Sequence, residues 1–397
     1  MTSFDVIIGQ DAAVHELQHA AADANRKLLS DESSAMTHAW LITGPPGSGR
    51  STLALAFASA LVCSQGGCGT CIDCRNVLSG VHADVEHVIP EGVHYSIANT
   101  VALIERASMM PTRAPWHIIL IEDVDRLNVD AASVLLKSLE EPPPQTVWLL
   151  CAPTAEDVFD TIRSRCRQVH LSTPSLPAIA EQLVSRFGID PTMAEFATRV
   201  SQGHIGRARA IATDEQVRIR RQEILDIPSR LKAVSTCFSY ASAIVANVAA
   251  DTDSIVGELD IQDEENIKVM FGEGAQGKGL RGIERAKKSA IKDLEKRHKD
   301  RRRRVVADQY SRVLLDLTGF YRDILVIQSQ AQVALINEEL RPILERLADL
   351  DTETQTLQRI NAINESRDHL LANVTPLSVF ESLLVTLRDP ALESVRV

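Results

Sequence analysis

The run Gly44-Pro45-Pro46-Gly47-Ser48-Gly49-Arg50-Ser51 constrains this chain more than any other stretch. It follows the phosphate-binding pattern G-x-x-x-x-G-K-[ST], with arginine where that pattern has lysine. Glycines let backbone N–H groups wrap an oligophosphate, and the positive end of the following helix dipole faces the same anion. The motif needs a strand before it and a helix after it, and both flanks read that way. Ala39-Trp40-Leu41-Ile42-Thr43 is a short apolar strand. Ser51 to Cys63 places Leu53, Leu55, Ala56, Ala58, Leu61 and Val62 on a broad apolar helical face. The candidate phosphate contacts are therefore Gly44, Pro45, Gly47, Ser48, Gly49, Arg50, Ser51 and Thr52. Arg50 brings a charge of the right sign as a broad planar fork rather than a compact ammonium, so the loop suits holding nucleotide better than hydrolysing it.

A chain of 397 residues predicts two or three domains with a substantial core. Hydrophobic residues make up 45 % and aromatics only 4 %, which points to an Ala/Leu/Val-rich, mostly helical α/β protein. Nothing at the start reads as a signal peptide, and no apolar run approaches the ~20 residues of a membrane span, so a soluble cytoplasmic protein with no membrane contact is expected. The net charge of −11 argues against a protein that coats DNA along its whole surface. Residues 1–172 alternate strands (39–43, 117–121, 147–152, 167–171) with helical patterns, the βαβ rhythm of a parallel sheet. Residues 173–216 read as a small helical bundle, with helices over 178–187 and 193–202 and a third after Gly203-His204-Ile205-Gly206. Residues 217–397 are helical by pattern, interrupted by an expected flexible, basic insertion at about 261–304. Within it, 278–304 holds thirteen Lys/Arg against four Asp/Glu, either a solvated helix face or a surface for DNA phosphates or a partner.

Two further clusters carry chemistry. His117-Ile118-Ile119-Leu120-Ile121-Glu122-Asp123 is an apolar strand ending in two acids, the form of a Walker B element. Such acids hold Mg²⁺ and polarise an attacking water, although the usual order is Asp then Glu. Cys63, Cys68, Cys71 and Cys74 give C-x4-C-x2-C-x2-C, a spacing that can close a tetrahedral structural Zn²⁺ site. Disulfides or a redox pair are the alternatives, disfavoured by a reducing compartment and by the presence of four thiols. Cys151, Cys166 and Cys237 stand alone and read as buried or semi-buried thiols.

Taken together these pieces resemble the clamp-loader branch of the AAA+ ATPases. Phe4-Asp5-Val6-Ile7-Ile8-Gly9-Gln10 is similar to the family's N-terminal box, which implies that Ile8 lies against an adenine. Leu135-Leu136-Lys137-Ser138-Leu139-Glu140-Glu141-Pro142-Pro143 resembles the bacterial clamp-loader signature after Walker B, and Ser164-Arg165-Cys166 belongs to the same set. The resemblance covers residues 4 to about 215, and implies a RecA-like parallel-sheet domain, a small helical lid and an all-α collar. It implies ATP or ADP with Mg²⁺ as ligand, Thr154 near the sensor-1 position and Arg207 near sensor 2. It makes Arg165 an arginine finger reaching a neighbour's ATP, where an arbitrary protein would use it in a local salt bridge. Implied partners are the gamma/tau and delta subunits of a hetero-pentamer, the sliding clamp and, through the assembly, primer-template DNA. Arg50, the order of the two acids and the short lead before Phe4 set the chain apart from the ATP-hydrolysing gamma/tau motor, the alternative within the family, and favour a stator-like subunit with weak or absent ATPase activity.

Overall fold

Period-2 alternation along the central strands decides which side of the sheet each residue serves. In the computed structural model, which describes residues 2–27, 36–90, 95, 97–271 and 280–388, the chain divides into two compact units, Met1–Asp214 and Glu215–Val397. The first is built on strands β1 (Ala39–Thr43), β2 (Val85–Val88), β3 (His117–Ile121), β4 (Thr146–Ala152) and β5 (Arg167–His170). They form one five-stranded sheet in the order β2-β3-β4-β1-β5, and all four pairings are parallel.

Trp40, Ile42, Ile118, Leu120, Val147 and Leu149 face helices α1 (Asp11–Lys27) and α2 (Arg50–Val62). Their strand neighbours Leu41, Ile119, Ile121, Trp148 and Leu150 face the opposite layer, with Leu103 of α4 (Ile97–Ala107) and Leu135 and Leu139 of α5 (Val129–Glu140). Strands buried on both faces read as continuous apolar runs, which is why β1, β3 and β4 are visible in the sequence. Helix α2 is buried almost all round. Small residues Ala54, Ala56, Ala58, Ser59 and Ala60 let it lie between the sheet and an outer layer of α1, the 3-10 turn Ser3–Val6 and α3 (Ile72–Leu78).

A short helix α6 (Asp160–Arg163) precedes β5, and helices α7 (Leu176–Phe187), α8 (Pro191–Ser201) and α9 (Ile205–Thr213) complete the first unit. The Ser175 and Asp190 side chains accept N–H groups at the starts of α7 and α8, and a proline sits in the first turn of each.

The second unit is all helical: α10 (Glu215–Arg230), α11 (Val234–Phe271), α12 (Leu280–Gln328), α13 (Arg341–Leu350), α14 (Glu353–Leu371) and α15 (Pro376–Leu387). Its core joins Ala241 and Ile244 of α11 to Leu317 and Phe320 of α12 and to Phe380 and Leu384 of α15. Where a flexible insertion over 261–304 is expected, α11 runs on to Phe271 and α12 begins at Leu280, while 272–279 lies outside the described residues. Part of the basic stretch is matched by acids on α11: Arg301 reaches Asp260 at 2.8 Å and Arg302 reaches Asp253 at 2.5 Å. The fold is thus a parallel-sheet α/β unit followed by an all-α region. Among the described residues no helix is long and apolar enough to cross a membrane.

Candidate functional site

Helix α2 has a polar centre at each end: Gly49 caps its N-terminus and Cys63 its C-terminus. The N-terminal centre lies beyond the carboxyl ends of β1, β3 and β4, where the chain leaves β1 for one face of the sheet and β3 for the other. Open parallel sheets bind ligands in such a crevice.

The phosphate loop is pinned from two sides. The Gly44 N–H donates to the carbonyls of Ala152 (3.3 Å) and Pro153 (3.1 Å) at the end of β4. Gly47 adopts φ 82°, and a Cβ there would stand 2.3 Å from Cγ of His204. Only glycine permits both that backbone and that approach. The Ile205 N–H also donates to the Gly47 carbonyl at 3.4 Å, so the start of α9 rests on the loop. The buried Ser48 hydroxyl has no hydrogen-bond partner among the described residues and lies 2.8 Å from where a Gly44 Cβ would be. A donor inside a glycine loop at a helix N-terminus fits a phosphate oxygen. Ser51 and Thr52 follow Arg50 in the first turn of α2.

The charges at this centre are matched from within. The Arg50 guanidinium donates to the Gly44 carbonyl and lies 3.6 Å from Asp123 Oδ1. Asp123 holds a left-handed backbone (φ 47°), rare outside glycine, and faces Arg126 at 3.6 Å as well. Glu122 Oε1 is 2.7 Å from His87 Nε2, and its backbone carbonyl accepts the Tyr95 hydroxyl at 2.5 Å.

The remaining expected residues are more scattered. Thr154, exposed just beyond β4, donates to Asp157 at 2.8 Å. Ile8 is buried, and its neighbour Gln10 exchanges two hydrogen bonds with Ser172, at 2.6 and 3.2 Å. Arg207 is buried in the first turn of α9, its N–H donating to His204 Nδ1 at 3.2 Å. Arg165, between α6 and β5, pairs with Glu140 at the end of α5 and donates to the Thr161 carbonyl at 2.7 Å. Sequence reasoning missed His87, His204 and Glu140 as partners. His87 lies on β2, a four-residue edge strand whose Val85-Glu86-His87-Val88 is too short and polar to register.

At the other end of α2, the sulfurs of Cys63, Cys68, Cys71 and Cys74 lie within 4.8 Å of one another. Cys63 Sγ is 3.8 Å from Cys68 Sγ and 3.7 Å from Cys71 Sγ. Zinc–thiolate arms of ~2.3 Å impose tetrahedral edges of about 3.8 Å, so the cluster fits a metal and is too open for disulfides. Backbone N–H groups of Gln65 (3.3 Å), Cys71 (3.3 Å) and Cys74 (3.4 Å) donate to Cys63, Cys68 and Cys71 sulfurs respectively. Bonds to the Thr70 backbone and hydroxyl bring the Cys68 thiol down to about 6. Burial raises Cys63, but N–H donors from Cys68, Gln65 and Gly67 more than offset it, whereas burial pushes the Cys74 thiol up. The donor set can hold a metal ion as thiolates.

The sequence model of the family described as "DNA polymerase III, delta subunit" matches residues 21–175. The delta' subunit of Bacillus subtilis is 29 % identical over 206 residues, 51 % of this chain and 62 % of that protein. The delta' subunit of Pseudomonas aeruginosa is 33 % identical over 166 residues, 40 % of this chain and 50 % of that protein. These matches relate up to about half of the chain to delta-prime subunits. Tau of Escherichia coli also matches, at 29 % identity over 189 residues, 45 % of this chain and 29 % of tau. The match thus spans 50–62 % of these delta-prime relatives' length and less than a third of tau's. Among solved structures, a DNA polymerase III gamma-subunit-related protein of Thermotoga maritima aligns over 93 % of this chain and 98 % of its own, at 12 % identity and a TM-score of 0.39. A RuvB mutant of the same organism aligns over 57 % and 67 %, at 18 % identity and a TM-score of 0.40.

Proposed function

We propose that the chain is a delta-prime-type stator of a cytoplasmic clamp loader, assembled with gamma/tau and delta subunits to place the sliding clamp on primer-template DNA. Its own phosphate loop would hold ATP or ADP with Mg²⁺ but hydrolyse ATP weakly or not at all, and Arg165 would act in trans on a neighbour's ATP. The observation that carries this reading is Arg50: its fork is already engaged by the Gly44 carbonyl and by Asp123, the acid that would otherwise face a metal ion. A lysine ammonium sits between phosphate oxygens as a point charge, whereas the planar guanidinium occupies that space. Gly44, Gly47, Ser48, Gly49 and Ser51 retain the backbone and hydroxyl donors of a phosphate cradle, and Zn²⁺ on the four cysteines serves structure. Within the assembly Arg165 must exchange Glu140 for the γ-phosphate, whose developing charge it would stabilise.

A gamma/tau-type motor is the second reading, favoured by the tau relative that matches 45 % of this chain. Steady-state ATP hydrolysis by the purified chain separates the two. The stator predicts turnover no higher than that of Arg50→Ala, and robust turnover that Arg50→Ala abolishes would overturn it.

A further inference from the structure

The loop between the first two cysteines holds more than a metal. Gly67, between Cys63 and Cys68, accepts the Ser3 N–H on its carbonyl at 2.8 Å. Its φ is +88°, and a Cβ there would lie 2.6 Å from Ser3 Oγ and 3.1 Å from the Ala60 backbone, so strap and loop meet without room for a side chain. The Ser3 hydroxyl donates onward to the Ala56 carbonyl of α2 at 3.1 Å, and both Ser3 and Phe4 are buried. From there the segment runs to Gln10, whose amide exchanges two hydrogen bonds with the Ser172 backbone, just past β5. Gly9 meets Pro174 there, with a Cβ position 3.4 Å from that ring.

Residues 3–10 are thus a strap with one end under the cysteine loop and the other on the joint between the sheet and helices α7–α9. We propose that the metal-loaded four-cysteine module is the clasp of this strap, so that metal occupancy sets the order of residues 3–10 and, through Gln10, of the joint at 172–174. The Gly67 carbonyl is aimed at Ser3 only while residues 64–67 keep their turn. That turn is fixed by Cys63 and Cys68 sharing one metal, together with the Gly66 N–H donating to the Cys63 carbonyl at 3.0 Å. Without a metal the four thiols lose their common anchor and the turn opens. The inference rests on the metal reading of the cysteines and is independent of the clamp-loading one.

Hydrogen–deuterium exchange on the full chain tests it, with zinc content measured on the same samples before and after stripping by a chelator under reducing conditions. Stripping should speed exchange on the order of tenfold at residues 3–10, together with 63–74, while β3 and β4 stay protected. Faster exchange at 63–74 with an unchanged 3–10 segment would overturn the clasp. A chain purified without bound metal would overturn the metal reading, and the clasp with it. Should stripping unfold the whole unit, Gly67→Ala decides. With zinc retained, it should free residues 3–10 while 63–74 stay protected, and full protection at 3–10 would sink the proposal.

Discussion

The two ends of α2 are balanced in opposite ways. At its N-terminus the protein engages its own charges: Arg50 meets Asp123 and a carbonyl, and Glu122 is hydrogen-bonded to His87. At its C-terminus four electron-rich sulfurs converge within 4.8 Å, an arrangement that a cation completes. Both motifs announce a ligand in the sequence. At the first the charges are engaged and the Ser48 hydroxyl is left without a partner among the described residues, whereas at the second all four sulfurs converge on one point. The contrast argues that a motif records where a ligand can sit, whereas the charge balance around it decides how strongly one is needed.

The largest expected effect tests the needy end. Cys74→Ala removes the most deeply buried of the four sulfurs. It should abolish stoichiometric zinc and lower the stability of the first unit by on the order of 3–5 kcal/mol, less than the ~10 or more that zinc supplies to a finger with no core of its own. Urea unfolding beside metal analysis reads both quantities. One zinc per chain persisting in the variant would collapse the contrast between the two ends.

The quiet end predicts that the reactive group lies elsewhere. In a reconstituted loader, Arg165→Ala should cut ATP turnover ~10³–10⁵-fold at the site it serves. The Arg165–Glu140 pair is half-exposed, so its loss should change the chain's stability by no more than ~1 kcal/mol. Turnover equal to wild type would return Arg165 to the role of a local salt bridge.

Asp84 shows a third kind of balance, a carboxylate held by N–H groups rather than by a cation. Burial opposes its charge, but the backbone N–H groups of Thr112, Ala114 and Arg113, with the Thr112 hydroxyl, bring it down to about 2. Because the folded pKa lies below the ordinary ~3.9, this contribution is full above that value and fades as pH falls toward 2. Asp84→Asn should cost about 1.5–3 kcal/mol near neutrality and flatten the acid limb of the stability curve. An unchanged acid limb would show that the N–H groups do not favour the charged form.

What the sequence disclosed follows the same physics. Strands β1, β3 and β4 are buried on both faces and therefore uniformly apolar. The phosphate loop, the acids after β3 and the cysteine spacing each demand fixed residue types at short range. β2 stayed hidden because an edge strand of four residues carries two polar ones. His204 and Glu140 were hidden for another reason: their partners Gly47 and Arg165 are 157 and 25 positions away, and no local pattern encodes such meetings. In the second unit only helical periodicity was legible. Its buried Asp323, which accepts the Ile336 and Asn337 N–H groups at 3.0 and 2.7 Å, gives no sign in the sequence of being inside.

The smallest effect probes the self-matching itself. Arg50 and Asp123 lie 3.6 Å apart, with side chains 13 % and 21 % exposed, close enough to couple but wet enough to be screened. A double-mutant cycle with Arg50→Ala, Asp123→Ala and the pair should return a coupling of about 1 kcal/mol, weakening as salt is raised. The guanidinium would still have the Gly44 carbonyl in Asp123→Ala, so that single variant should cost less than Arg50→Ala, which leaves both the carbonyl and Asp123 without their donor. Asp123 would then keep Arg126 as its cationic partner among the described residues, and any divalent-cation binding at this end should strengthen in Arg50→Ala relative to wild type. A coupling near zero with unchanged cation binding would mean that Arg50 does not neutralise the site, and the two ends of α2 would no longer differ in kind.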